Sequence, residues 1–331
     1  MKFITVFFCL LILISSVNMA VSLSLPFPPF EVYTVEDLKA VDDLSPLSLI
    51  SHIELMNDLE ITDEVWKPIG QVNRPFKRIF NGNNHTITFK EDMEFIPSVD
   101  SENAGCGLFG YAHNGRIYDL NVIFQGNLTS RENNTGSLVG ILDGNHSYSL
   151  LPAIVNCHIS NDGYSISGKN NVGGLVGCVI NSTIENSSAE CSVVSSGNSA
   201  GGLVGFVFNG TIANSSASGS VQAVENAGGL IGYISNQTIV SNSSARTTIS
   251  NSFADSSVKP AGKFGNFIGG WDENYKPEVV NCFYRETEVD LESVSPLLLA
   301  YYNGKPLLIL AVGIGIIFLI AAGILYFKKR K

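Results

Sequence analysis

The middle of this 331-residue chain carries almost none of the residues that catalysis uses. Between Ser165 and Ser250 the only acids are Glu185, Glu190 and Glu225, with no aspartate and no histidine. Glycoside hydrolysis needs two carboxylates facing each other across a sugar bond, and this stretch offers no evident pair. The five histidines, His52, His85, His113, His146 and His158, form no H-E-x-x-H pair, so the chain lacks the zinc-peptidase motif. No serine-nucleophile elbow is expected. Catalytic residues, metal ligands and a cofactor are all absent from the expectation. Cysteine is scarce too. Cys9 lies in the first apolar run, and Cys106, Cys157, Cys178, Cys191 and Cys282 make an odd set with no C-x-x-C pair. That argues against a disulfide framework and a zinc site. Cys157 and Cys282, both in the phrase "VNC", read as small buried hydrophobes. Charged residues are only 15% of the chain and the net charge is −10, which excludes a basic surface for nucleic acid.

Long apolar runs occur only at the ends. Lys2, the run Phe3 to Ile14 and the small residues of "AVS" at Ala20 to Ser22 predict a signal peptide over residues 1–22. Leu307 to Phe327 is 21 residues without a charge, about 31 Å of helix, and is followed by "KKRK" at 328–331. A single span with a cytoplasmic basic tail and an outward ectodomain is expected.

What fills the space between is a repeat. Glycine–leucine phrases begin at Gly107, Ser137, Gly174, Gly202, Gly229 and, in degenerate form, Asn266. Their second residues, Leu108, Leu138, Leu175, Leu203, Leu230 and Phe267, are separated by 30, 37, 28, 27 and 37 positions. A period in this range is that of a solenoid. Helical periodicity is absent, while glycine, asparagine and β-branched residues dominate, so each unit reads as short strands divided by turns. Stacked in parallel, such strands form a β-solenoid with an apolar interior. A second phrase, "NGRI", "NSTI", "NGTI" or "NQTI", supplies Ile117, Ile184, Ile212 and Ile239 as another apolar column. In each glycine–leucine phrase the next residue is apolar as well: Phe109, Val139, Val176, Val204, Ile231 and Ile268. Strand alternation turns one of the two outward unless a bulge intervenes, so this second line is a candidate contact stripe. The aromatics just beyond it, Tyr111, Phe206, Phe208 and Tyr233, are candidate contacts or core.

Ten N-x-S/T sequons occur. Asn186, Asn214 and Asn242 are 28 residues apart, and Asn156 and Asn281 hold the same slot without a sequon. These five predict a structural asparagine ladder, because glycans on rungs about 4.8 Å apart would collide. Asn84, Asn127, Asn133 and Asn145 are the favoured glycan positions.

Ahead of the repeat, Thr34 and Asp37 in "TVEDLKAVDDL" predict a capped helix. The stretch "FKRIFNGNNHTITF", Phe76 to Phe89, reads strand, Asn-Gly turn, strand. The series helix, "LMNDLEI", "WKPIG", "FKRIFNGNNHTI" and then "GLFG" resembles the lead-in of GLUG-motif cell-surface proteins, over about Tyr33 to Tyr284. The resemblance implies a right-handed parallel β-helix on a cell surface and assigns no ligand.

The expected layout follows: signal peptide 1–22, cap and first coils 23–100, GLUG-repeat β-helix 101–284, juxtamembrane linker 285–306, span 307–327 and tail 328–331. The fold class is all-β, a β-helix of about six coils with an N-terminal helix/hairpin cap and one C-terminal transmembrane helix. The expected function is that of a non-catalytic surface adhesin or glycan-binding module. A β-helix carbohydrate-active enzyme and a ligand-free envelope scaffold are the alternatives. Expected partners are the membrane, a surface glycan or neighbouring-cell protein, and another copy of the chain.

Overall fold

The computed structural model describes residues 28–44, 50–97, 104–144, 153–235, 247–259, 263–272, 277–280 and 282–284. The signal peptide, the linker, the span and the tail lie outside the described residues, as do Asn145, Ile239, Asn242 and Asn281. Among the described residues no helix is long and apolar enough to cross a membrane.

Each strand forms for a local reason. In Thr183–Glu185, Thr211–Ala213 and Thr248–Ser250 a threonine and an isoleucine favour extended backbone, and only the isoleucine is fully buried. The preceding asparagines Asn181 and Asn209 both sit at φ 50°, in the left-handed region that asparagine tolerates. These strands cannot bury their apolar edge alone, so each stacks on the next in register: Ile184, Ile212 and Ile249 are direct partners.

The result is a parallel β-helix. An eighteen-stranded sheet covers two of its sides, and two six-stranded sheets complete each repeated coil. All pairings between the named strands are parallel. One short sheet runs from Gly105–Cys106 to Lys263–Gly265 and the other from Phe109–His113 to Ile268–Trp271.

The stack is taller than six coils. Nine strands, from Phe30–Val32 through His52–Leu55 and Ile79–Asn81 up to Glu278–Val280, form one column. Eight steps make it about 38 Å high. The extra rungs come from the segment expected to be a cap. Its helix is present as Val35–Ala40, with the Thr34–Asp37 capping box closed in both directions. Its hairpin is not. Ile79–Asn81 and Thr86–Phe89 do not pair with each other; each lies parallel between neighbours from other coils. The Asn-Gly signal gives way because two parallel partners satisfy more backbone groups than one hairpin partner would.

The leucine column is fully buried at Leu108, Leu138, Leu175, Leu203 and Leu230, and so are Ile117, Ile184 and Ile212. The line proposed as an outer stripe is buried too: Phe109, Val139, Val176, Val204, Ile231 and Ile268 are at most 1% exposed. Hydrogen bonding at the corner explains this. The amides of Leu203 and Val204 both donate to the Leu230 carbonyl, at 2.9 and 3.0 Å, and Leu175 and Val176 both donate to Leu203. Two consecutive N–H groups on one carbonyl is bulge geometry, and it turns both side chains inward.

Candidate functional site

Past the corner the strands resume alternation with the opposite outcome for the aromatics. Val207 is buried, while Phe206 and Phe208 on either side of it are half-buried on the outer face. Register places Tyr111, Ile141, Cys178, Phe206 and Tyr233 in one line up this sheet. His113, Asp143, Ile180, Phe208 and Ser235 form the line beside it. Ile141 and Cys178 are buried, so two half-exposed patches remain, one at each end.

The lower patch is polar. Asp143 Oδ2 accepts the Tyr111 hydroxyl at 2.7 Å and lies 3.0 Å from His113 Nδ1. Partial burial and the adjacent carboxylate push the Tyr111 phenol above its ordinary value. Tyrosine and imidazole are thereby fixed in place, but no nucleophile joins them. Cys178 on the next rung is buried, which pushes its thiol up to about 12.

The upper patch is aromatic. Phe206 and Tyr233, one rung apart, lie with ring centroids 6.2 Å apart and planes 23° from parallel. Asp272 accepts the Tyr233 hydroxyl at 2.7 Å and the Ser235 hydroxyl at 2.8 Å. Beside the rings opens a cleft of about 490 Å³, lined also by Asn171, Asn198, Asn226, Ser199, Val224 and Glu225. A glycine brings these groups together. A Cβ on Gly205 would lie 2.3 Å from the Asn171 carbonyl carbon and 2.6 Å from the Val172 nitrogen. Only glycine lets the two short sheets close backbone on backbone, and this sets Asn171 next to Phe206.

Sequence reasoning missed a G-x-S-x-G pattern at Gly197 to Gly201. Ser199 is 3% exposed within the strand Ser199–Gly201, which leads to the Gly-Leu corner rather than to a helix. The strained, exposed elbow of a serine hydrolase is therefore not built there.

The asparagine columns differ from the expected ladder. Asn156, Asn186 and Asn214 share one corner at φ 50–52°, but all three are exposed, and the side chains of Asn186 and Asn214 do not bond each other. The next member is Asn251 (φ 48°), in register above Asn214. The ladder is one residue further on, in serine. Ser187 N donates to Ser215 Oγ, Ser215 N to Ser252 Oγ, and Cys157 N to Ser187 Oγ, at 3.1–3.3 Å. Asparagine is there for its backbone conformation, and the residue after it ties the rungs. The shared "NS" and "NC" phrases carried that signal. Amide ladders do occur elsewhere, at Asn181–Asn209 and Asn133–Asn170, both 2.9 Å. Of the favoured glycan positions, Asn84 is exposed. The Asn127 amide is occupied by Ser165 and Asp92, and that of Asn133 by Asn170.

All five described cysteines are free. Burial pushes Cys106, Cys157 and Cys191 up to about 12, which leaves them unreactive. Among the described residues no group of three His, Cys, Asp or Glu could hold a metal ion.

Residues 168–194 and 196–222 each match the GLUG motif. The chain carries GLUG repeats. Those two matches are successive coils, and together they include Phe206 and the first two asparagines of the cleft. A crystal structure from Bacteroides ovatus, of a protein provisionally named an immunoglobulin A1 protease, is similar in fold. It is 20% identical, with a TM-score of 0.58, over 79% of this chain and 76% of that one. At that identity the likeness shows the fold alone. No curated protein matches the chain.

Proposed function

We propose that this GLUG-repeat β-helix is a non-catalytic binding module displayed on a cell surface, held by the apolar segment 307–327 and acting as an adhesin. The observation that carries the reading is the outer face of the second short sheet. There a rigid stack presents aromatic rings and oriented polar groups beside an open cleft, on a coil otherwise rich in small residues. Rigid elements that hold a few exposed aromatics and polar groups are what binding surfaces use.

Spacing favours binding over turnover. The two carboxylates that accept tyrosine hydroxyls on this face, Asp143 and Asp272, are separated by four rungs, or about 19 Å. Glycoside hydrolases hold their pair at about 5–9.5 Å. The acidic balance of the chain disfavours nucleic acid as the partner.

The test displays the full chain on cells that lack it, measures adhesion to a panel of cell surfaces, and assays the medium for released sugar or peptide. Saturable adhesion without release is expected. Release of product would make the protein an enzyme. Ordered self-assembly without adhesion would make it an envelope scaffold.

A further inference from the structure

We propose that the cleft beside Phe206 and Tyr233 is a seat for an uncharged saccharide chain laid along the helix axis. The proposal deepens the binding-module reading and rests on it. Three features of the cleft converge.

The rings come first. Phe206 and Tyr233 stand one rung apart and nearly parallel, half-buried so that their positions are fixed while one side stays open. Asp272 anchors the Tyr233 hydroxyl and so sets the ring plane. The apolar face of a pyranose packs on such rings, as other flat apolar groups do. Val224, 51% exposed at the cleft, extends the apolar surface.

The amides come second. Register places Asn171, Ser199 and Asn226 at one position of three successive rungs, with Asn198 one residue before Ser199. The Asn171 side chain, at the cleft wall, donates to Asn134 Oδ1 at 2.9 Å. The Asn226 N–H donates to the Asn198 carbonyl and the Asn198 N–H to Asn170 Oδ1, so the backbone beneath them is fixed. A carboxamide both donates and accepts, which suits hydroxyl groups that do the same. The rungs repeat every 4.8 Å or so, close to the advance of one hexopyranose in an extended chain, so consecutive sugars would meet consecutive rungs.

Charge comes third. Among the described residues Glu225 is the only charged one lining the cleft, and no lysine, arginine or histidine joins it. Uronates, sulfated sugars and sialosides would meet a like charge with no cation to offset it. Neutral hexose or N-acetylhexosamine chains carry no such penalty.

The test titrates the full-length chain with cellohexaose, chitohexaose, mannohexaose and polygalacturonate, following binding by calorimetry. At least one neutral oligosaccharide should bind, and polygalacturonate should not. Phe206→Ala and Tyr233→Ala should each weaken binding tenfold or more with an unchanged melting temperature. Phe208→Ala, on the same face but outside the cleft, should leave it unchanged. If the alanine variants fail to fold, Glu225→Lys at an exposed position replaces them, and it should raise polygalacturonate binding. Neutral-sugar binding that survives in both folded variants, Phe206→Ala and Tyr233→Ala, would place the seat elsewhere. A wild-type preference for polygalacturonate, or no charge effect of Glu225→Lys, would overturn the choice of ligand. Cell adhesion without any saccharide binding would sink this inference and leave the module reading standing. Loss of both would sink the two together.

Discussion

The first rungs and the GLUG rungs close the same helix around interiors of different kinds. One position, followed up the stack by register, reads Phe89, Phe124, Asn161, Cys191, Gly219 and Ser256. It begins with two phenyl rings stacked 4.7 Å apart, with Trp66 edge-on to the lower one at 5.8 Å, and ends in a thiol, a bare glycine and a hydroxyl. A neighbouring column shrinks in step, from Ile87, Val122 and Ile159 to Ala189, Ala217 and Ala254. The glycine corners explain the second half. A Cβ on Gly174 would lie 2.8 Å from Ala189 Cβ and from Cys191 Sγ, and one on Gly202 would lie 2.9 Å from Ala217 Cβ. The lower rungs are filled by large side chains; the upper ones are closed by bringing backbones together. Identity in the lower half is set by what fills space, and in the upper half by what does not fit.

The largest expected effect is in the lower half. Phe124→Ala should cost about 3–5 kcal/mol, because it removes a buried ring and the stacking partner of Phe89. Cys191→Ala, two rungs up in the same column, should cost well under half as much. Urea unfolding of the two variants breaks the comparison if their losses are equal.

Gly205→Ala comes next, at about 1–3 kcal/mol or more, since both near contacts of the new Cβ are backbone and cannot rotate away. Thermal melting measures it, and an unchanged melting temperature would mean that the short sheets are not in close contact.

Ser215→Ala should cost about 1–3 kcal/mol by stripping the Ser187 amide of its buried acceptor. Ser215→Cys should recover part of that loss, because Cys157 already fills the equivalent slot with its thiol donating to the Val155 carbonyl. Equal losses for the two variants in chemical denaturation would show that the hydroxyl matters only for size.

Asn161, where the two halves meet, should give the opposite sign. It is 3% exposed, and neither amide atom has a hydrogen-bond partner. Asn161→Leu should raise stability by about 1 kcal/mol, since it replaces an unsatisfied amide with an apolar group against Phe124. A loss in the same denaturation assay would show that the amide is satisfied in solution.

The difference between the halves also decides what could be read in advance. Close backbone approach leaves a glycine signature, so the six upper coils were legible from Gly-Leu phrases. Filled rungs carry ordinary alternation, so Phe80 and Ile87 looked like arms of one hairpin rather than members of two stacks. Corner geometry was hidden because alternation rules describe strands, and Leu203–Val204 is a bulge between them. The 28-residue period failed above Asn214 for a simpler reason. Ile212 pairs with Ile249, 37 positions on rather than 28, so the phase resumes at "TISNS", Thr248 to Ser252, which repeats "TIANS" at Thr211 to Ser215. Of the cleft, the sequence offered Phe206 and Tyr233 as candidates. It could not offer Asn171 beside them, because that meeting depends on Gly205 touching the rung below.

The smallest expected effect separates conformation from contact at the exposed corner. Asn214 sits at φ 50° with no side-chain bond to Asn186, so its role is to hold a left-handed backbone. Asn214→Gly should therefore be nearly neutral, while Asn214→Ala should cost about 1 kcal/mol and Asn214→Gln a similar amount. A ladder of amides would predict another order: glycine would be as damaging as alanine, and glutamine would recover part of the loss. Melting temperatures of the three variants, compared in unglycosylated protein so that the sequon plays no part, distinguish the two. The same set made at Asn84, φ 61° in the lower half, asks whether these corners obey one rule while the interiors obey two.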